Sequence, residues 1–276
     1  MKSRRYFVHG RYKMLSELGF GGVSAVFKVY DRMAHRVCAL KLLSPHIYKT
    51  DEGQHRLLRE ANVMKSIDHP GIVKLYALHE DPPALAMELI DGRSLGYWQR
   101  KHAQMPAFLV LKVAKEVTEA MAVLHRSGMI HRDIKPANIL VTPTERCKLV
   151  DFGIARIDNS STITQTGMMM GSHGFMAPEQ VIDAKRVDHR ADIYSLGKTL
   201  LSLLTGDPTA KVPDLLDQAS QVASPEMCRL LMQMTIRHVE RRLQTVEVLQ
   251  KRLQSLPDEP VPARRLRLHI DLSRSL

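Results

Sequence analysis

The sequence predicts an α+β protein, and three observations predict it. Segments of strand character fall early: Tyr12 to Val29, Val37 to Leu43, Ile72 to Leu78 and Ala84 to Leu89. One helical segment, RLLREANVMKS, sits among them. Segments of helical spacing then fill the rest of the chain.

The chain has 276 residues, 44% of them apolar and 25% charged, as expected of one soluble globular core. No apolar run approaches the roughly 18 residues needed to span a bilayer. The start, MKSRRYFVHG, is basic but lacks the apolar core of a signal peptide, so a cytoplasmic location is expected. Cys38, Cys147 and Cys228 lie far apart and form no CxxC pair, which suggests neither a disulfide framework nor a zinc site. The formal charge of +11 reads first as solvated lysine and arginine. Basic ends (Lys2, Arg4, Arg5; Arg264, Arg265, Arg267) could meet nucleic acid or an anionic membrane, but no nucleic-acid module accompanies them and that reading ranks below solvated charge.

In order along the chain, Tyr12 to Val29 reads as two strands around GFGGVSAV, with Leu15, Leu18, Val26 and Val29 flanking the turn. Gly19, Gly21 and Gly22 would let backbone amides approach phosphate oxygens that a side chain would keep away. VCALKLL is an apolar strand interrupted by Lys41, a cation that needs a partner if buried. Leu57, Ala61 and Met64 share a helical face beside Glu60. Pro106 to Arg126 carries Leu109, Val113, Val117, Met121 and Leu124 at helical spacing, and Gly128 fits its stop. Arg190 to Thr205 is apolar around most of its circumference, which predicts a buried central helix capped near Gly206. Two amphipathic stretches, Pro225 to Val239 and Thr245 to Leu256, follow. From Pro257 a proline-rich linker leads to RLRLHIDL, which either pairs with a sheet edge or stays disordered; disorder is the expectation.

The chemistry is concentrated in HRDIKPANIL, DFG and MAPEQ. Asp133 can accept a proton, Lys135 supplies a cation, and Asn138 and Asp151 supply oxygen ligands. Phosphoryl transfer needs such a set, because catalysis there means holding Mg²⁺, neutralising phosphate charge and orienting a hydroxyl for in-line attack.

These motifs, in this order and behind a glycine-rich loop and a lysine, resemble the protein-kinase superfamily, whose signatures are HRDxxxxN, DFG and APE. The resemblance covers roughly residues 10 to 256, and its TQT segment looks like the bacterial receptor-type serine/threonine kinases. It implies a two-lobed fold: a small antiparallel β-rich lobe with one helix (about 10–88), a hinge (about 88–92) and a larger helical lobe (about 93–256). A basic extension (1–9) precedes this domain and a tail (257–276) follows.

The resemblance also assigns roles. ATP would lie in the cleft between the lobes, under Leu18, Gly19, Gly21 and Gly22, with Val26 and Ala39 above the adenine and Leu140 below. Met87 would be the gatekeeper, and the Glu88 carbonyl and Ile90 amide the hinge contacts. Lys41, paired with Glu60, would hold the α- and β-phosphates. Asp133 would orient the substrate hydroxyl and Lys135 contact the γ-phosphate. Asn138 and Asp151 would hold Mg²⁺, or Mn²⁺. His131 and Arg132 are structural, as are Asp192 and a Glu179–Arg242 pair, and Ser172 stands where the family has a threonine. Ser24 replaces the third glycine of the family loop. After Gly206 the sequence departs from the family, which leaves substrate recognition open. Thr164 and Thr166 are candidate autophosphorylation sites that would pair with Arg132, and self-association would serve that reaction.

The implied activity is transfer of the ATP γ-phosphate to serine or threonine hydroxyls of proteins. The rivals are a kinase-fold enzyme acting on a small molecule or lipid, which APE and the TQT loop argue against, and a nucleotide-binding module without catalysis, which the filled catalytic positions argue against.

Overall fold

The computed structural model describes residues 7–21, 24–43, 51–152, 173–183 and 187–257. Gly22, Gly153, Thr164, Thr166, Ser172 and both basic ends lie outside them. The described residues divide into two compact units. The first takes residues up to His69 and Val73–Ile90; the second takes Pro70–Ile72 and everything from Asp91 onward.

The first unit is a six-stranded sheet. Strands β1 (Phe7–Val8), β2 (Tyr12–Gly21), β3 (Ser24–Asp31) and β4 (Arg36–Leu43) are followed by helix α1 (Asp51–Ser66) and strands β5 (Leu75–Glu80) and β6 (Pro83–Met87). The spatial order is β1-β2-β3-β4-β6-β5, and every neighbouring pair is antiparallel. Phe7 and Val8, read from sequence as part of an extension, are the edge strand of this sheet.

Register decides what each face carries, since directly paired residues share a face and successive residues alternate. Gly19 pairs with Val26, Val26 with Lys41, Lys41 with Leu85 and Ala39 with Met87, so all six lie on one face. The opposite face presents Val29, Cys38, Leu40, Ala84 and Ala86, which close with Tyr12 into a buried cluster. Leu15 and Leu18 prove half exposed; Tyr12 and Val29 do the packing in this hairpin. Asp31 closes the β3–β4 turn by accepting from the Met33 and Ala34 amides at 3.0 and 3.1 Å. Its carboxylate also accepts two bonds from the Arg11 guanidinium at 2.7 and 2.6 Å. Arg11 above all, with those amides, lowers the Asp31 pKa to about 2 against the pull of burial. In α1, Leu57, Ala61 and Met64 form the buried stripe that the spacing predicts.

The second unit contains a small sheet of β7 (Arg93–Ser94), β8 (Ile139–Val141) and β9 (Cys147–Leu149), in that order. Its helices are α2 (Leu95–His102), α3 (Ala107–Arg126), α4 (Pro178–Ile182), α5 (Arg190–Thr205), α6 (Val212–Ala219), α7 (Pro225–Met234) and α8 (Val246–Gln254). Ile72 does not begin β5; it bridges to Leu149, whose amide donates to the Gly71 carbonyl at 2.8 Å. Helix α3 stops at Ser127, and Gly128 follows at φ +72°, where a β-carbon would be strained.

Every residue of α5 from Ala191 to Thr205 is buried. A helix enclosed on all sides satisfies its backbone internally and offers its side chains as anchor points in every direction. Gly197 lets α7 come close: a β-carbon there would sit 2.8 Å from both Met234 Cβ and Thr235 Cγ2. Helix α7 ends at Met234, short of the predicted Val239. The carbonyls of Ile236 and Arg237 bond instead to the Arg242 guanidinium.

Candidate active site

The loop His131–Asn138 runs between α3 and β8, and the β8–β9 hairpin brings its two ends together. Ile139 pairs with Leu149, and the Val150 amide donates to the Asn138 carbonyl at 3.0 Å. Asp151 therefore follows immediately beyond the strand end at which Asn138 sits.

Within the loop three side chains converge. The Asp133 carboxylate oxygen Oδ2 receives Lys135 Nζ at 3.0 Å and Asn138 Nδ2 at 2.8 Å. Asn138 Nδ2 also donates to the Asp133 backbone carbonyl at 2.9 Å. Both amide protons are thus committed to Asp133, which fixes the amide plane and turns Oδ1 the other way. An amide oxygen so oriented, next in the fold to the carboxylate of Asp151, is the hard-oxygen chemistry that a magnesium-sized cation takes.

Asp192 of α5 holds the loop in place. Its Oδ2 accepts from the His131 amide at 2.8 Å and from His125 Nε2 at 2.9 Å, and its Oδ1 accepts from the Arg132 amide at 2.8 Å. Burial pushes this carboxyl up, but the His125 bond and the neighbouring imidazoles and amides prevail and hold it below the ordinary carboxylate range. Arg132 adopts φ +64°, left-handed for a residue with a β-carbon, and the Asp192 bond to its amide is part of what keeps it there. Thr199, also on α5, donates to the Ile134 carbonyl at 3.4 Å.

His131 is buried with both ring nitrogens engaged. A carbonyl can only accept, so Nε2 carries the proton that it donates to Val150 O at 3.1 Å, and Nδ1 accepts from the Asp133 amide at 3.3 Å. Burial lowers its pKa, against the acids Asp192, Asp133 and Asp151. Phe152 packs on the same ring, with centroids 4.7 Å apart. This neutral imidazole is a spacer between the Asp133 loop and the Asp151 segment, with no nitrogen left for proton transfer.

Glu179 and Arg242 form a two-bond pair at 2.6 and 2.9 Å. The guanidinium is fully buried and also donates to the carbonyls of Ile236 and Arg190 at 2.9 and 2.8 Å. Gln180 accepts from the Ala177 amide at 3.1 Å and donates to the Arg132 carbonyl at 3.1 Å, which ties the MAPEQ segment to the Asp133 loop. His125, Thr199 and Gln180 escaped the sequence reading. Only Gln180, adjoining a motif, gave any signal there.

In the first unit, Lys41 is buried to 9% exposure on β4, and Ala39 and Met87 are buried on the same face. Glu60 is half-buried on α1 beside the Leu57–Ala61–Met64 stripe. Glu88 donates its amide to the Lys74 carbonyl at 2.9 Å, and Ile90 closes the first unit. Leu140 lies half-buried on β8 of the second unit. No helix among the described residues is long and apolar enough to cross a membrane.

An antiparallel sheet with one helix, a helical unit, and a buried aspartate gripping an Asp–Lys–Asn loop together define a kinase-type phosphotransfer fold. The chain belongs to the protein kinase domain family, whose model matches residues 12–259. It is 37% identical over 205 residues to the serine/threonine-protein kinase PknB of Mycobacterium leprae, covering 72% of this chain and 33% of that protein. With PknD of Mycobacterium tuberculosis it shares 37% identity over 201 residues, covering 72% of this chain and 30% of that protein. Among solved structures, the PknI kinase domain of Mycobacterium tuberculosis superposes with a TM-score of 0.72 at 25% identity, over 88% of this chain and 95% of that one. The chain thus spans about a third of the length of the curated relatives it matches. Membership of this family implies ATP and a divalent metal ion.

Proposed function

We propose that the chain transfers the γ-phosphate of ATP to serine or threonine hydroxyls of protein substrates. The observation that carries this is the Asp133–Lys135–Asn138 cluster, locked by Asp192 and continuous through the β8–β9 hairpin with Asp151. Two donors on Asp133 Oδ2 fix the plane of its carboxylate, which orients the attacking hydroxyl and takes its proton. Lys135 reaches the γ-phosphate from the same cluster. Asn138 Oδ1 and the Asp151 carboxylate would hold Mg²⁺ or Mn²⁺, which would neutralise phosphate charge.

Six residues on one sheet face support the nucleotide reading in the first unit. Gly19 leaves room for phosphate; nothing lies within 4 Å of where its β-carbon would be. Val26, Ala39, Leu85 and Met87 make that face apolar around Lys41, and Glu60 is the acid proposed to anchor it. Leu18, Gly21, Gly22, Glu88 and Ile90 complete the contacts proposed in this unit. Serine/threonine preference follows from the HRDIKPAN lysine and from the named relatives. Autophosphorylation at Thr164 or Thr166, in trans between two copies in the cytoplasm, belongs to the same reading.

The test is a labelled-ATP assay, with Mg²⁺ and then Mn²⁺, on the chain itself and on a generic basic protein. Wild type should label protein, and Asp133→Asn should lower kcat by about 10²- to 10⁴-fold with little change in the KM for ATP. Turnover only with a small-molecule acceptor, or nucleotide binding without transfer, would overturn the proposal. Phosphate on the 153–172 segment, read by mass spectrometry, decides the autophosphorylation part.

A further inference from the structure

Helix α5 contains one lysine, in the otherwise uncharged stretch LGKTLLSLLT, and it is buried to 3% exposure. Leucine would pack there without the cost of dehydrating an ammonium, and burial does push the pKa of Lys198 down, with Asp207 and Asp214 opposing. A buried charge of this kind gives direction more than stability. Its direction is plain: Nζ donates to the backbone carbonyl of Ala210.

Ala210 belongs to the segment between α5 and α6, where the sequence leaves the family pattern. That segment is also bonded within itself. Asp207 Oδ1 accepts from the Thr209 amide at 2.7 Å, the Thr209 hydroxyl at 2.7 Å and the Ala210 amide at 3.1 Å. Gly206, at φ +79°, starts the turn. The Pro208 carbonyl so positioned faces Gly174, whose β-carbon, if it had one, would lie 3.4 Å from that oxygen. Gly174 is the centre of the turn His173–Phe175, which packs on α5 and leads directly into Ala177–Glu179.

One rigid helix therefore sets two things. Through Asp192 and Thr199 it fixes the loop of Asp133, and through Lys198 it fixes the wall behind Gly174. We propose that Lys198 is a positioning residue for the protein substrate: it holds the Asp207–Ala210 segment behind the His173–Phe175 turn, and that turn, which leads into Ala177–Glu179, forms part of the surface that receives the peptide. The inference rests on the kinase reading and names the side of the reaction that Lys198 serves. Nucleotide binding has no part in it.

The experiment compares wild type, Lys198→Met and Asp207→Ala in steady-state phosphorylation of one peptide that the wild type phosphorylates. Methionine keeps the stem and removes the donor; Asp207→Ala removes the three bonds that Oδ1 accepts within the same segment. Each should raise the KM for peptide roughly three- to tenfold, the range one net hydrogen bond spans, with the KM for ATP unchanged. Hydrogen exchange at the Thr209 and Ala210 amides should speed up in both. An unchanged peptide KM in Asp207→Ala and in folded Lys198→Met overturns the proposal, as does an equal rise in the KM for ATP. If Lys198→Met fails to fold, Asp207→Ala alone decides. Absence of peptide phosphorylation by wild type would instead refute the kinase reading.

Discussion

Replacing Asp192 with asparagine separates the charge of this residue from its shape. In the native site Oδ1 serves the Arg132 amide at 2.8 Å, and Oδ2 serves the His131 amide at 2.8 Å and His125 at 2.9 Å. An asparagine oxygen can take the place of Oδ2, but its NH₂ then faces the Arg132 N–H, donor against donor. The loss is one charge-assisted bond, about 1.5–3 kcal/mol, and a buried donor is left without its acceptor. A total near 3 kcal/mol corresponds to a melting point about 6–12 °C lower in a domain of this size. Freed from Asp192, Arg132 relaxes from φ +64° and carries Asp133 with it, so kcat should fall at least about tenfold. The carboxyl is held below its ordinary pKa in the folded state, so its stabilisation is complete above the unfolded value of about 3.9 and is lost as pH falls through the folded one. The stability gap between Asp192→Asn and wild type should therefore close in acid. Calorimetry and urea titration at several pH values measure it. A variant melting within about 1 °C of wild type at neutral pH, with kcat intact, would refute this account of how the loop is held.

Asp31→Asn should cost about 2 kcal/mol at neutral pH, from a pKa lowered from 3.8 to about 2, with the full penalty above the unfolded value and its loss as pH falls through about 2; urea denaturation across that range reads it. Gly197→Ala should destabilise by about 1–3 kcal/mol, although alanine is the better helix former, because its β-carbon would meet Met234 and Thr235 at 2.8 Å; a urea midpoint equal to or above wild type would contradict that packing. Arg242→Met should cost about 3 kcal/mol, by leaving Glu179 and the carbonyls of Ile236 and Arg190 without their buried donor, and a melting curve tests it.

Strands β2 to β4 and helices α3 and α5 were legible because their patterns run long enough to show a period. Helix α2 was not. It buries Leu95, Gly96, Trp98 and Gln99 within barely two turns, and its N-terminal signal is the single hydroxyl of Ser94 accepting from Tyr97 N. Helix α6 buries only Leu215 and Ala219, too few to stand out between proline and aspartate. The three-residue strands β8 and β9 have no readable alternation at all, yet they bring Asn138 alongside Val150. The identities of Asp133, Lys135, Asn138 and Asp151 were visible as motifs. What no motif could show is which atom of Asn138 faces Asp133, which nitrogen of His131 is protonated, or that Asp192 serves three donors at once. Those depend on the three-dimensional placement of atoms, from Asn138 against Asp133 five positions away to Arg132 against Asp192 60 positions away. Lys198 did leave a trace, the one charge among the last ten residues of α5, but its partner is a backbone carbonyl and so has no side-chain signature.

The alternation along β4 constrains how this strand could change over evolutionary time. Ala39 and Lys41 project to one side while Cys38 and Leu40 project to the other. Inserting or deleting a single codon would exchange the two sets, thrusting the ammonium into the cluster around Tyr12 and turning leucine outward. Point changes in β4 can be absorbed one side at a time, whereas a change in its length would disable both sides together.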